Sequence, residues 1–545
     1  MHKFWLTIII VIGIFFRFFA LTSTPPALNW DEVSIGYNAY SILKTGKDEW
    51  GQFLPLSFKA FGEHKLPGMI YASVPGIALF GTTDFGVRFT PALIGVISIF
   101  VMYLLSKKLF NSQSLGLISA LLLAISPWGV HFSRVSFEAG LAMLLLMCSI
   151  YFLIDSKKSR QNLYFAMIFA VLSAYTYNSI RILLPLLFLA YIFNSTISLE
   201  KFSFKKFVLP VLLGLVLIIP IIIGLANPEG RVRLGTVSIT TQKSFVDNIA
   251  ESRGYTTLPS ILPRLIHNKV THYGYELFNN YLHIFSTDFL FFKGGENTQR
   301  SVQGMGLFYL FELPLLVIGL TQLFKKNTPK YLRMVILPWL LLAPIPSIIT
   351  IDSPSTVRAL NLLPAMILLE SMGVALVVDW LKKSRISLII ASLFVVWNIS
   401  YFGYLLFYVY PVKYSDKWQY GYKQAVEYGQ SHYDEADLIY LPAKYGEPYI
   451  FTLFYTGFDP AKYHSLQVKN ETDPTGWIHN SGFDKYRFSD YSGLETPEEI
   501  VARNHGKLVL ITGFAQLPGT YERLFEVKAP NWKVMFEGTI QEGKQ

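Results

Sequence analysis

Groups able to take a proton or hold a charge gather at a few places in this chain. The tetrad Asn29-Trp30-Asp31-Glu32 follows a long apolar run and the pair Pro25-Pro26. Asn29 suits the N-cap of a helix running through Tyr37, Tyr40 and Leu43, which puts Asp31 and Glu32 in its first turn. Two roles stay open for the acids. They serve the helix dipole, or one is a general base acting on a sugar-sized substrate beside Trp30 and Tyr37. Neighbours on a helix point about 100° apart, so the two acids do not reach one atom. Asp31 is the expected base and Glu32 the second catalytic candidate.

The next cluster is Glu63-His64-Lys65-Leu66-Pro67. The apolar stretch after it, Met69–Phe80, is interrupted by Pro75 and Gly76 and is too short to span a bilayer, so it reads as an interfacial helix. Lys65 at its start either meets a phosphate or is a snorkelling lysine. His64 is a candidate for the pocket wall.

Three arginines stand where apolar segments end: Arg134 after Trp128–Ser133, Arg181 after Tyr175–Ile180, and Arg358 after Ser353–Val357. An unpaired charge at such a place costs a few kcal/mol, so each needs a partner. For Arg134 the partner is Glu138 at i,i+4 or a phosphate oxygen. Arg358 has no acidic residue at helical spacing, which favours phosphate. Glu138 and Tyr177 join Trp30, Tyr37 and His64 as substrate-pocket candidates. His267, His272 and His283 lack metal-ligand spacing, so no metal is expected, nor any other cofactor. Cys148 is the single cysteine, which excludes an intrachain disulfide.

These groups are positioned by a membrane protein. Of 545 residues, 52% are hydrophobic and 15% charged, where a soluble domain carries about 25% charge. Eleven stretches are apolar enough to cross a bilayer: 4–22, 85–105, 114–130, 137–154, 162–178, 181–194, 207–226, 305–324, 332–350, 359–379 and 386–410. Every second connection is basic, with Lys107 and Lys108, Lys157, Lys158 and Arg160, Lys201, Lys205 and Lys206, Lys325 and Lys326, and Lys382 and Lys383 among its cations. By the positive-inside rule the N-terminus is cytoplasmic and the C-terminus outside. The net charge of +10 is then a matter of topology, not of nucleic-acid binding. The first apolar stretch is expected to stay as an uncleaved anchor.

The expected architecture is an α-helical polytopic membrane domain over 1–410, with outer loops 23–84 and 227–304. A small α/β domain over 411–545 follows outside the membrane. Its strands are expected at Asp437–Leu441, Lys507–Thr512 and Trp532–Phe536, and its helices at Trp418–Tyr428 and Pro448–Tyr455.

Taken in order, these motifs resemble the GT-C glycosyltransferases. They are a helix ending in Arg, then Asp31-Glu32, His64-Lys65-Leu66-Pro67, Phe80-Gly81, Val87-Arg88-Phe89-Thr90-Pro91, Ser133-Arg134…Glu138 and Arg358…Pro364. Within that group the chain resembles the protein O-mannosyltransferases and the aminoarabinose transferases of lipid A, over about 1–190 and more loosely over 330–380. The resemblance implies a polyprenyl-phosphate–monosaccharide donor taken from the lipid phase of a cell membrane. It also implies that Asp31 is the base that activates the acceptor, that Lys65 contacts the donor phosphate, and that no metal is required. The tail resembles neither the β-trefoil of the eukaryotic mannosyltransferases nor the tail of the aminoarabinose enzymes. The acceptor, whether protein, lipid or glycan, stays open. The competing reading is a transporter or flippase of lipid-linked sugars. Such a protein should show internal repeats and polar breaks near the midplane, and the sequence has neither.

Overall fold

The computed structural model describes residues 1–156, 159, 161–197, 204–226, 238–239, 243–255, 261–443, 446–466, 468, 470–473, 476–488, 496–513 and 517–542. The expected inside cations Lys157, Lys158, Arg160 and Lys201, and the start of the 227–304 loop, lie outside these residues. The side chains of Lys205 and Lys206 are likewise not described. Helix occupies each of the eleven apolar stretches. Among the described residues six helices are long and apolar enough to cross a bilayer, and five further apolar helices are shorter. The chain is a multi-pass membrane protein.

The contacts divide it into two compact units. One holds residues 1–16, 95–131 and 139–402. Its tightest helix pair is Glu312–Leu323 against Leu363–Leu381, and two glycines explain the closeness. A Cβ on Gly319 would fall 1.9 Å from the Leu369 carbonyl oxygen, and one on Gly373 would fall 2.0 Å from that of Leu315. Small residues let helix backbones touch where lipid supplies no hydrophobic drive. Trp128 and Trp339 fasten this unit by donating indole N–H bonds to the carbonyls of Thr356 (3.1 Å) and Asn361 (2.7 Å).

The other unit holds residues 17–94, 132–138 and 403–545. It contains the helices Trp30–Thr45 and Pro67–Phe80, the hairpin Phe58–Ala60/Glu63–Lys65, and a strand-rich tail. The tail's sheet runs in the order Gly482–Phe483, Tyr486–Phe488, Leu438–Leu441, Lys507–Gly513, Val534–Glu542, Phe525–Lys528. Leu438–Leu441 is parallel to both its neighbours, and the other pairings are antiparallel. Alternation along the strands decides the layering. Leu508 and Leu510 face Tyr440 and Ile500. On the opposite face Gly429, in the helix Tyr422–Ser431, lets that helix close on Ile439 and Ile511. The expected strands and the helix at Pro448–Tyr455 are present, and the first tail helix begins later, at Tyr422. The third strand also runs on to Glu542, because its pairing with Lys507–Gly513 carries past the apolar segment.

Candidate active site

Asn29 caps the helix Trp30–Thr45 as expected. Its side chain accepts the Glu32 N–H at 2.9 Å, and Glu32 Oε2 accepts the Asn29 N–H at 3.2 Å, a closed capping box. The box separates the two acids. Glu32 is fully buried, and both its oxygens accept from Arg88, at 3.1 Å each, while Oε1 also takes the Ser136 N–H at 3.1 Å. Glu32, expected as a second catalytic candidate, therefore holds structure together. Asp31, one residue earlier, keeps its side chain 35% exposed and pairs with the ammonium of Lys65.

Lys65 is brought to Asp31 by the hairpin, whose register sets Phe58 opposite Lys65 and Lys59 opposite His64. The lysine is 3% exposed. Burial works against its charge, but Asp31, Glu63 and Glu138 outweigh it and hold the ammonium above its ordinary value. Two expected phosphate and pocket partners, Lys65 and Glu138, thus lie in one electrostatic group with Asp31. His64 is half-exposed beside it, with Nδ1 3.2 Å from Ser57 Oγ. Trp30 is half-buried next to Asp31.

The remaining expected residues stand elsewhere. Tyr37 is fully buried and donates its hydroxyl to the Phe458 carbonyl at 3.1 Å, which ties the helix to the tail instead of lining a pocket. Arg134 is fully buried and donates to the carbonyls of Phe19 (2.8 Å), Ala20 (2.9 Å) and Thr24 (3.0 and 2.8 Å), so it secures the turn after the first helix. Tyr177, Arg181 and Arg358 belong to the other unit. Tyr177 is buried just before the helix Asn178–Ile197, and Arg181 donates to the Ala174 carbonyl at 3.1 Å. Arg358 does have an acidic partner. It pairs with Asp352, which also takes Arg300 at 2.9 Å. Helical spacing missed this because 352–358 is turn, not helix. Burial would raise the Asp352 carboxyl, but Arg358 and then Arg300 hold it below the usual range. Among the described residues no three side chains are grouped to hold a metal.

Two residues of the site region were given no role from sequence, although Arg88 stands in one of the quoted motifs. Arg88 sits four residues into the helix Asp84–Phe110. Besides Glu32 it donates to the carbonyls of Leu21 (3.1 Å), Pro25 (2.6 Å) and Ala27 (2.5 Å). The reasoning applied to Arg134 would have found it, since an arginine inside an apolar helix demands partners. The second is Glu49, which is 2% exposed, with its backbone N–H on Asn38 Oδ1 at 3.1 Å. Burial, reinforced by Asp48, pushes its carboxyl up to about 8, against weaker opposition from Trp50, Lys65 and Asn38.

Folded Glu49 keeps its proton where an unfolded Glu, with a pKa of about 4.3, has lost it. Its contribution is therefore full below that value and falls as pH rises toward about 8. Glu49→Gln should gain thermal stability on the wild type progressively from about pH 5 to pH 8. Melting curves of the two proteins across that range check this, and curves that stay parallel count against it.

Solved structures share this architecture. The chain aligns over 83% of its length with an archaeal oligosaccharyltransferase, AglB from Archaeoglobus fulgidus, at a TM-score of 0.51 and 13% identity. That structure holds an inhibitory peptide and a dolichol-phosphate. It aligns over 100% of its length, and of the other chain's, with ArnT from Cupriavidus metallidurans bound to undecaprenyl phosphate, at a TM-score of 0.52 and 11% identity. The fold is that of the GT-C glycosyltransferases. Within the GT-C group, residues 65–223 match the family model described as dolichyl-phosphate-mannose-protein mannosyltransferase. The resemblance to the protein O-mannosyltransferase and aminoarabinose transferase branch is borne out. The chain spans 63% of the length of the archaeal oligosaccharyltransferase. No curated protein sequence matches it.

Proposed function

We propose that this GT-C protein moves a monosaccharide from a polyprenyl-phosphate donor to an acceptor hydroxyl on the extracytoplasmic face. The observation that carries the reading is the pair of Asp31 and Lys65: a part-exposed carboxylate held against a buried ammonium. A donor phosphate arriving at Lys65 competes for the ammonium and leaves Asp31 free to accept a proton. The acceptor O–H then loses its proton to Asp31 as its oxygen bonds to the sugar's anomeric carbon. The bond from that carbon to the phosphate oxygen breaks, its electron pair goes to the phosphate, and polyprenyl phosphate leaves. Lys65 offsets the charge that develops there, and a fixed cation in a poorly hydrated site lowers the barrier. Glu138 and Glu63 keep Lys65 charged. Two neighbours of the same fold, solved with dolichol-phosphate and with undecaprenyl phosphate, support a lipid-phosphate ligand. The test is incubation of the purified chain with polyprenyl-phosphate-linked mannose, glucose and aminoarabinose, followed by mass spectrometry of the products. Failure to release polyprenyl phosphate from any of them overturns the reading.

The orientation belongs to the same proposal, with the N-terminus cytoplasmic and the tail outside. In a Cys148→Ser background, Glu522→Cys in the tail should label with an impermeant thiol reagent in intact cells. Lys326→Cys should label only after permeabilisation. Both positions are exposed in the structure. The reverse pattern would invert the topology.

A further inference from the structure

Beside Asp31 the tail contributes a side chain that neither the fold nor the motifs assign. The backbone N–H of Ile478 donates to the Phe61 carbonyl at 3.2 Å, so the hairpin that carries Lys65 is tied to the strand Ile478–Asn480. Gly62 makes the approach possible. It has φ +114°, and a Cβ there would fall 2.6 Å from the Gly476 carbonyl oxygen and 2.9 Å from Trp477 Cα. Three rings meet at this junction. Trp477 stacks on Phe61 with centroids 6.0 Å apart and planes at 16°. Trp30 stands 6.0 Å from Trp477 and 6.2 Å from Phe61. Phe61 is buried at 1% exposure, whereas Trp30 and Trp477 are only half-buried.

The Trp477 indole is tied by its own N–H, and both tryptophans are tied by their backbone. The Trp477 Nε1–H donates to Glu447 Oε1 at 2.6 Å, and Glu447 is 3% exposed. The Trp477 backbone N–H donates to Asp473 Oδ1 at 2.9 Å. The Trp30 backbone N–H donates to Gln419 Oε1 at 2.8 Å. A half-buried tryptophan whose indole N–H is tied to a buried carboxylate is pre-organised to receive a ligand. Asp31 follows Trp30 directly, and Lys65 lies 5.8 Å from the Phe61 centroid. The half-buried rings are therefore bordered by the part-exposed Asp31 carboxylate, with the buried Lys65 ammonium beside Phe61. An apolar ring with a hydrogen-bonding carboxylate at its edge matches a pyranose, whose axial C–H groups form an apolar face and whose hydroxyls point outward.

We propose that Trp30 and Trp477 form a platform on which a pyranose ring stacks beside Asp31, with Trp477 of the tail as a specificity-determining residue. This rests on the glycosyltransfer reading and extends it by giving the tail a part in substrate binding. The ring belongs to the donor or to a glycan acceptor. Two measurements on the full-length chain in nanodiscs test the platform. The first is steady-state transfer by wild type, Trp477→Ala and Trp477→Phe. Trp477→Ala should raise one KM about tenfold, the scale of a lost aromatic stacking contact, with kcat within about threefold. Trp477→Phe keeps a ring and should stay within about threefold of wild type. A raised donor KM assigns the ring to the donor. A raised acceptor KM, with acceptor-free donor hydrolysis unchanged, assigns it to the acceptor. The second measurement is saturation-transfer NMR with methyl pyranosides of mannose, glucose, galactose and arabinose, in which Trp477→Ala should lose the signal that wild type gives. An unchanged KM together with an unchanged or absent pyranoside signal overturns the platform, as does a Trp477→Phe variant as impaired as Trp477→Ala. A wild type that turns over no donor strikes the glycosyltransfer reading and leaves the pyranoside signal to decide this one.

Discussion

Asp31→Asn is expected to lower donor turnover by about 10²–10⁴-fold, the usual contribution of a positioned general base. The amide keeps the size of the carboxylate and can still sit against Lys65, but it cannot accept the acceptor's proton. Three observations single out Asp31 from the acids around it. It is exposed enough to meet a substrate, it holds the buried lysine, and it stands in the first turn of a helix whose cap is closed by its neighbour. Because Asn29 and Glu32 make the cap, Asp31→Asn should leave the fold intact. Donor-lipid binding should survive, since removing the negative charge leaves Lys65 free for phosphate. The decisive comparison is single-turnover kinetics of Asp31→Asn and Glu138→Gln at matched protein yield. A wild-type rate in the first with a dead enzyme in the second would move the base to Glu138.

Arg88→Ala should instead remove the protein. Breaking a buried ion pair by deleting one partner costs about 3–5 kcal/mol, because the other charge is left behind in a dry interior. Here the stranded group is Glu32, and the carbonyls of Leu21, Pro25 and Ala27 lose their donor as well. A membrane protein with total stability of about 5–15 kcal/mol should show this as lost yield and a lowered melting temperature. Arg88→Lys restores the charge but cannot span both Glu32 oxygens and three carbonyls, so it should recover only part of the loss. Removing both charges in Arg88→Met/Glu32→Gln should be milder than Arg88→Ala alone. Thermal melting in detergent of the three variants checks the order, and equal melting temperatures for Arg88→Ala and wild type would refute the pairing's structural role.

What the sequence made legible was periodicity and local order. Apolar stretches became helices, alternation in the tail became a sheet, and Asn29 with Asp31 and Glu32 became a capped helix start. What it hid were contacts made across long separations. Nothing in the local pattern distinguishes Glu32, buried against Arg88, from Asp31, one residue away, part-exposed and paired with Lys65. The i,i+4 rule offered Glu138 for Arg134, whose guanidinium goes to the carbonyls of Phe19, Ala20 and Thr24, and it missed Asp352 for Arg358, because that rule applies only inside a helix and neither stretch is one. Trp477 lies in a stretch with no regular period, and its place follows from the pairing of Ile478 with Phe61. Glu49 reads as an ordinary loop acid until the structure shows how little of it meets water.

The bond between Trp30 and Gln419 joins residues 389 positions apart, and the hairpin waits on residue 478 for its last backbone partner. At a synthesis rate of about 5–20 residues per second, the chain spends on the order of half a minute with its acid and its lysine already made but their supporting strand still missing. The site is thus completed only after residue 478 has been made. A polypeptide interrupted in the membrane segments carries every residue of the Asp31 motif without the framework that sets it. On the proposed reading, competence to act waits for the stretch around residue 478, and a copy halted before it lacks the strand that ties the Lys65 hairpin.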